Sequence, residues 1–144
     1  MIPVKKLLAD KPQSNVWSVS PENTVIEALF LMSERNIGAV VVLDDEKLVG
    51  IFSERDYARK GIVQGRKAKS TPITEVMTPK VFTVSLDMDI RECMKLFSEK
   101  KFRHLPVMDK DKVVGILSIG DIVNSIMKEQ QEHIDFLEQY ITHA

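Results

Sequence analysis

The feature that most limits what this chain can fold into is that its pattern is written twice. Displaced by 65 positions, residues 19–56 align on 84–121 without a gap, and 14 of those 38 positions are identical. Val19/Val84, Glu27/Glu92, Ser33/Ser98, Asp44/Asp109, Gly50/Gly115, Ser53/Ser118 and Asp56/Asp121 are among the matches. Others exchange like for like, as in Val25/Ile90, Leu29/Met94 and Leu48/Val113. Gapless agreement over this length excludes a compositional echo, so the chain carries two copies of one unit. A unit of about 50 residues buries too little surface to be stable alone. Two of them in 144 residues are therefore expected to pack as one body with pseudo-two-fold symmetry.

Each copy reads the same way locally. Thr24-Val25-Ile26-Glu27 and Asp89-Ile90-Arg91-Glu92 both fit a capping box, in which a cap oxygen and a Glu three residues on each take an orphan amide. Apolar residues then recur at helical spacing: Val25, Ala28, Leu29, Met32, and Ile90, Cys93, Met94, Phe97. The runs 40–43 and 105–108 read as strands, and the polar turns 44–47 and 109–112 lead into further strands at 48–52 and 113–117. A second helix starts at Ser53 and at Ser118. The unit is β-α-β-β-α and the fold class α+β. The expected boundaries are a tail or short helix at 1–15, repeat 1 at 16–60, a linker at 61–76, repeat 2 at 77–128 and a helical extension at 129–144. Ile122, Ile126, Ile134, Leu137 and Ile141 give that last helix an apolar face left over for a partner.

Charge and cysteine content narrow the function. Lys plus Arg number 20 against 21 acids, a formal charge of −1, which argues against nucleic acid as the main partner. The one cysteine, Cys93, leaves no internal disulfide and points to a reducing cytoplasm. The longest apolar run, 37–43, is far short of the ~20 residues that cross a bilayer, so no membrane association is expected. His104, His133 and His143 lie at no metal-ligand spacing. Ser53 and Ser118 have no recurring histidine to activate them. No catalytic site assembles, and the expectation is a protein that is not an enzyme and holds no metal.

What does carry chemistry is the corner Gly50-Ile51-Phe52-Ser53-Glu54-Arg55-Asp56, repeated as Gly115-Ile116-Leu117-Ser118-Ile119-Gly120-Asp121. A strand glycine marks a bulge or a close approach. Ser-x-x-Asp at the following helix start is open to two readings. It is a capping box, or a carboxylate placed to accept from a ribose diol while helix-start amides face a phosphate.

These residues, with the strand Arg103-His104-Leu105-Pro106-Val107, resemble a tandem pair of CBS domains, a Bateman module, over residues 16–128. The resemblance implies a stand-alone regulatory module that senses energy or redox state. Such modules bind adenosine derivatives (AMP, ADP, ATP, NAD or S-adenosylmethionine) in two clefts between the repeats and need no further cofactor. It assigns Ser53 and Asp56 to one site, Ser118 and Asp121 to the other, and adds Ser18 and Thr83 of the first strands. Arg103 and His104, where repeat 1 has Gly38 and Ala39, become candidates for a phosphate. Arg55 opens a basic run, 55–69, with six cations against one acid, Asp56. The family further implies a homodimer that passes its signal to a separate regulated protein. The rival reading is an interaction or dimerisation module with no physiological nucleotide.

Overall fold

The 65-residue displacement reappears element by element in the computed structural model, which describes residues 1–11 and 15–143. The elements are α1 (Val4–Asp10), β1 (Ser18–Val19), α2 (Val25–Arg35), β2 (Ala39–Asp44), β3 (Lys47–Ser53), α3 (Glu54–Asp56), β4 (Val84–Ser85), α4 (Ile90–Lys100), β5 (His104–Asp109), β6 (Lys112–Ser118) and α5 (Ile119–His143). α3 runs on into a π-helical turn, Tyr57–Ile62, and a 3-10 turn covers Ile73–Glu75. α4, β5 and β6 sit 65 residues after α2, β2 and β3 at both ends. Residues 12–14 of the expected tail and residue 144 of the expected extension lie outside the described residues.

Two three-stranded sheets form, in the orders β1-β2-β3 and β4-β5-β6. β1 pairs parallel with β2 (Val19 opposite Val42), and β4 parallel with β5 (Val84 opposite Val107), the same register in each copy. The two copies differ by one residue at the parallel edge, and proline is the reason. Ser18 pairs with Val41, whereas its counterpart Thr83 would face Pro106, which has no amide to offer, and β4 starts one residue later. β2 and β3 are antiparallel around Asp45 and Glu46, both at positive φ as a type I′ turn requires. Val42 pairs with Gly50 and Leu43 with Leu48, so β3 carries a bulge beside its glycine.

α2 starts with a complete capping box. Glu27 N–H donates to Thr24 Oγ1 at 3.4 Å, and the Thr24 amide and hydroxyl donate to Glu27 Oε1 at 2.9 and 3.0 Å. The Thr24 amide above all holds the Glu27 carboxyl below its usual range. The counterpart in α4 departs from the expected box: Asp89 accepts from the Arg91 amide at 3.1 Å instead of pairing reciprocally with Glu92. Its carboxylate reaches the second amide of the helix, another ordinary cap geometry. Both helices end on a left-handed residue, Asn36 and Lys101. Thr24→Ala is expected to cost about 1 kcal/mol in a urea melt near neutral pH. Glu27 titrates lower in the folded than in the unfolded chain, so the stabilisation it brings is complete above its unfolded pKa and fades as pH falls through the folded one. The cost of Thr24→Ala should shrink over that acid range.

The end of the segment expected as a linker, residues 71–76, packs into the first core. Ile73 and Val76 are fully buried, in one core with Val19, Val25, Ala28, Met32, Val40, Val42 and Phe52. Pro72 bridges Thr24, Val25 N–H donates to Thr71 O at 2.9 Å and Ile73 N–H to Asn23 O at 2.9 Å. The N-terminal segment does the same for α4. Pro3 bridges Asp89, Ile90 N–H donates to Ile2 O at 2.9 Å, and Val4 N–H to Met88 O at 2.8 Å. Val4 and Leu7 are buried there as Ile73 and Val76 are in the first case. Pro-Val-x-x-Leu at 3–7 and Pro-Ile-x-x-Val at 72–76 are thus a further duplicated piece, at a displacement of 69.

The described residues form two compact units, 15–85 with 105–116, and 1–11 with 86–104 and 117–143. The first holds the core just named. In the second, Val4, Leu7, Leu8, Ile90, Cys93, Phe97, Leu117 and Ile122 are buried, with α1 and α4 against α5.

Candidate functional site

The serine-to-aspartate corner is present in both copies, and in both it caps a helix. In the first unit Asp56 N–H donates to Ser53 Oγ at 3.2 Å, while the Ser53 amide and hydroxyl donate to Asp56 Oδ2 at 3.0 and 3.1 Å. In the second unit Asp121 N–H donates to Ser118 Oγ at 3.1 Å and the Ser118 amide to Asp121 Oδ2 at 2.9 Å. A matching backbone bond ties each corner to the strand start before it, Glu54 N–H to Gly38 O at 3.2 Å and Ile119 N–H to Arg103 O at 3.4 Å. The two readings of the motif are therefore compatible: the cap locks the carboxylate at the strand-to-helix corner. Both carboxylates remain partly accessible, at 15% for Asp56 and 21% for Asp121.

The chain closes the two corners with different chemistry. At Asp56 the second oxygen, Oδ1, accepts from Thr78 Oγ1 at 3.2 Å and lies 3.5 Å from Lys60 Nζ. Thr78 is held there because it bridges Ile51 at the edge of β3, with N–H to O distances of 2.8 and 3.0 Å in the two directions. Lys60 Nζ also reaches Met77 O and Thr78 Oγ1, both at 3.4 Å. The glycine of the motif makes this approach possible: a Cβ on Gly50 would run into the Met77 side chain, with Cγ at 3.1 Å and Cε at 3.2 Å. At Asp121 the closing group is Lys11, just past α1, with Nζ 3.0 Å from Oδ2. Asp121 borders a cavity of about 170 Å³ lined by Leu7, Asp10, Lys11, Asn124, Ser125 and Lys128.

Of the other residues singled out from the sequence, Ser18 starts β1 and is exposed, Thr83 precedes β4 and is half-buried, and Arg55 lies half-buried in α3. Arg103 is exposed at the turn before β5, and His104, half-buried, begins that strand. In the first unit the position equivalent to Arg103 is Gly38, which lines a recess of about 400 Å³ with Ser33, Asn36 and Glu54. Lys11, Lys60 and Thr78 were not legible as site residues. For Thr78 and Lys11 the signal was the duplicated Pro-apolar segment that precedes each of them. Cys93 is buried, and burial pushes its thiol up to about 11, the state of an inert core residue.

A family model of the CBS domain matches residues 4–62 and again 73–128. The chain belongs to the CBS domain family. Both matches begin at the buried residue after the duplicated proline, Val4 and Ile73. Among relatives, the chain is 38% identical over 131 residues to CBS domain-containing protein CBSX3, mitochondrial, of Arabidopsis thaliana. The match covers 88% of this chain and 63% of that protein, so the chain spans less than two thirds of its length. The fold is similar to that of a protein with CBS domains from Burkholderia ambifaria, at TM-score 0.86 and 41% identity, covering 90% of this chain and 96% of that one. It is also similar to CBSX2 in complex with AMP, at TM-score 0.74 and 29% identity, covering 89% and 98%. Among the described residues no helix is long and apolar enough to cross a membrane.

Proposed function

We propose that this CBS pair is a non-enzymatic regulatory protein that binds adenine nucleotides, AMP, ATP or NAD(H), at its two serine-aspartate corners and reports energy or redox state. The observation that carries the reading is the duplicated carboxylate, locked by its own cap and closed by side chains that a ligand can displace. A ribose diol would take over the contacts of Thr78 and Lys60 on Asp56, and of Lys11 on Asp121. The Lys11 pair is partly exposed and worth about 0–1 kcal/mol, so its release costs little. It has to yield, because the cavity at Asp121 is below the ~300–1,000 Å³ of usual ligand pockets. The AMP complex of CBSX2 supports the choice of ligand class. Ser18, Thr83 and Arg55 stay candidates for lining the sites, with Arg103 and His104 for the phosphate. Cytoplasmic localisation, a homodimeric state and a separate regulated protein belong to the same reading.

The exposed apolar stripe of α5 favours a second reading, an interaction module without a physiological nucleotide. A thermal-shift panel of adenosine, AMP, ADP, ATP and NAD separates the two, since a ligand that binds only the folded state raises the midpoint with concentration. Nucleotide sensing predicts such a rise for at least one compound, and a flat panel favours the interaction module. Arg103 supplies a further prediction. A guanidinium makes a two-pronged, charge-assisted contact with phosphate that Gly38 cannot match. Arg103→Ala should weaken AMP by about tenfold in calorimetry while leaving adenosine unchanged. Equal AMP affinity in the variant would make Arg103 a surface charge.

A further inference from the structure

The lysine that closes the Asp121 corner also lines the cavity beside it. That cavity, about 170 Å³, lies between α1 and α5, and its polar lining next to Asp121 is Asp10, Lys11, Asn124, Ser125 and Lys128. It is too small for a nucleoside, so it can take only what extends beyond a ribose held on Asp121. Once a diol occupies the Asp121 carboxylate, two ammonium groups, Lys11 and Lys128, face the cavity against one carboxylate, Asp10. The balance there is positive, and Asn124 and Ser125 add neutral donors. The part of a ligand that fits is therefore anionic.

Spacing along α5 sets how far that part reaches. Asn124, Ser125 and Lys128 follow Asp121 by three, four and seven positions and so share one face of the helix. Lys128 stands about 10 Å along the axis from Asp121, where the outer phosphates of a chain would meet it and a single 5′ phosphate would not. Lys11 is nearer, with Nζ 3.0 Å from Asp121 Oδ2. A diol that takes this oxygen displaces the ammonium toward the cavity it already lines. The first corner is built otherwise, since the 65-residue counterparts of Ser125 and Lys128 are Lys60 and Val63. Lys60 reaches Met77 O and Thr78 Oγ1 besides Asp56, so a diol on Asp56 leaves it two partners, and Val63 brings no charge. We propose that Lys11 and Lys128 make the Asp121 corner count phosphates, favouring adenosine di- and triphosphate over AMP and adenosine. Lys11 competes with every ribose for Asp121 and contacts the outer phosphates only of ligands that carry them. The proposal deepens the nucleotide reading above and rests on it.

The test is calorimetry of adenosine, AMP and ATP at one ionic strength, in the full chain carrying Asp56→Asn so that the Asp121 corner dominates binding. ATP should bind more tightly than AMP. Lys11→Met and Lys128→Met should each cut that preference by about tenfold, the weight of one charge-assisted contact. Lys11→Met should bind adenosine at least as tightly as its parent, because the competitor for Asp121 is gone. A merely structural role for Lys11 would weaken all three ligands alike. Lys6→Met, exposed on α1 and outside the cavity lining, should change nothing. Should the Asp56→Asn background not fold, the same lysine variants in the otherwise wild-type chain read the preference directly. ATP no tighter than AMP, a preference that either substitution leaves intact, or adenosine weakened by Lys11→Met would overturn the proposal and spare the nucleotide reading. Failure of all three ligands to bind would overturn both.

Discussion

Phe52→Ala is expected to destabilise the protein by about 3–5 kcal/mol, a large share of the ~5–15 kcal/mol that holds a domain folded. Phe52 has no exposed surface, and its ring lies in the core formed with Val19, Val25, Val40, Val42, Ile73 and Val76. Those neighbours come from β1, α2, β2 and the 72–76 segment, which are fixed by their own hydrogen bonds. The cavity cannot collapse readily, so the cost should sit high in the range for such truncations. Phe30 on α2 is 65% exposed, and Phe30→Ala should stay within about 0.5 kcal/mol of wild type. Urea melts of the two variants check this by their midpoints, at unchanged slope. Similar losses in both would mean that the first unit is not packed as described.

Asp56→Asn should cost more stability than Asp121→Asn. Asp56 answers four donors: the Ser53 amide, the Ser53 hydroxyl, the Thr78 hydroxyl and the Lys60 ammonium. An amide in its place keeps one acceptor oxygen and turns an NH₂ group toward Lys60, so about 1–3 kcal/mol should be lost. Asp121 answers the Ser118 amide and Lys11, and its amide variant can keep the first with its oxygen. Its loss should be below about 1 kcal/mol, the worth of a partly exposed ion pair. Thermal melts without nucleotide read the difference, and a reversed order would contradict the geometry of the two corners.

The repeat made most of the fold legible. Once residues 19–56 are laid on 84–121, the α2, β2 and β3 boundaries recur in α4, β5 and β6, because period, caps and turn residues recur with them. The corner motif was legible as well, since Ser-x-x-Asp after a glycine-bearing strand has few uses. Within 61–76, glycines and charges mark the first half, while the buried Ile73 and Val76 sit in a stretch too short to show a period. Its likeness to residues 3–7 lies at a displacement of 69, outside the 65-residue register. Two of the groups that close the corners stayed hidden for the same reason. Thr78 and Lys11 arrive on those segments, and Lys60 reaches Asp56 from the turn after α3. The basic run 55–69 reads as a source of charge, whereas the pairing of Lys60 with Asp56 depends on how the chain turns after α3.

Calorimetric titration of AMP into the wild type and into the double variant Asp56→Asn/Asp121→Asn tests the central claim, that the duplicated carboxylates hold the ribose of an adenine nucleotide. The wild type should bind with a measurable heat. Each substitution should remove about 1.5–3 kcal/mol from its own site, the range for hydrogen bonds to a charged group. Affinity at both sites should then fall by between about tenfold and just over a hundredfold, while the double variant remains folded by circular dichroism. Unchanged AMP affinity in a folded double variant would contradict the account.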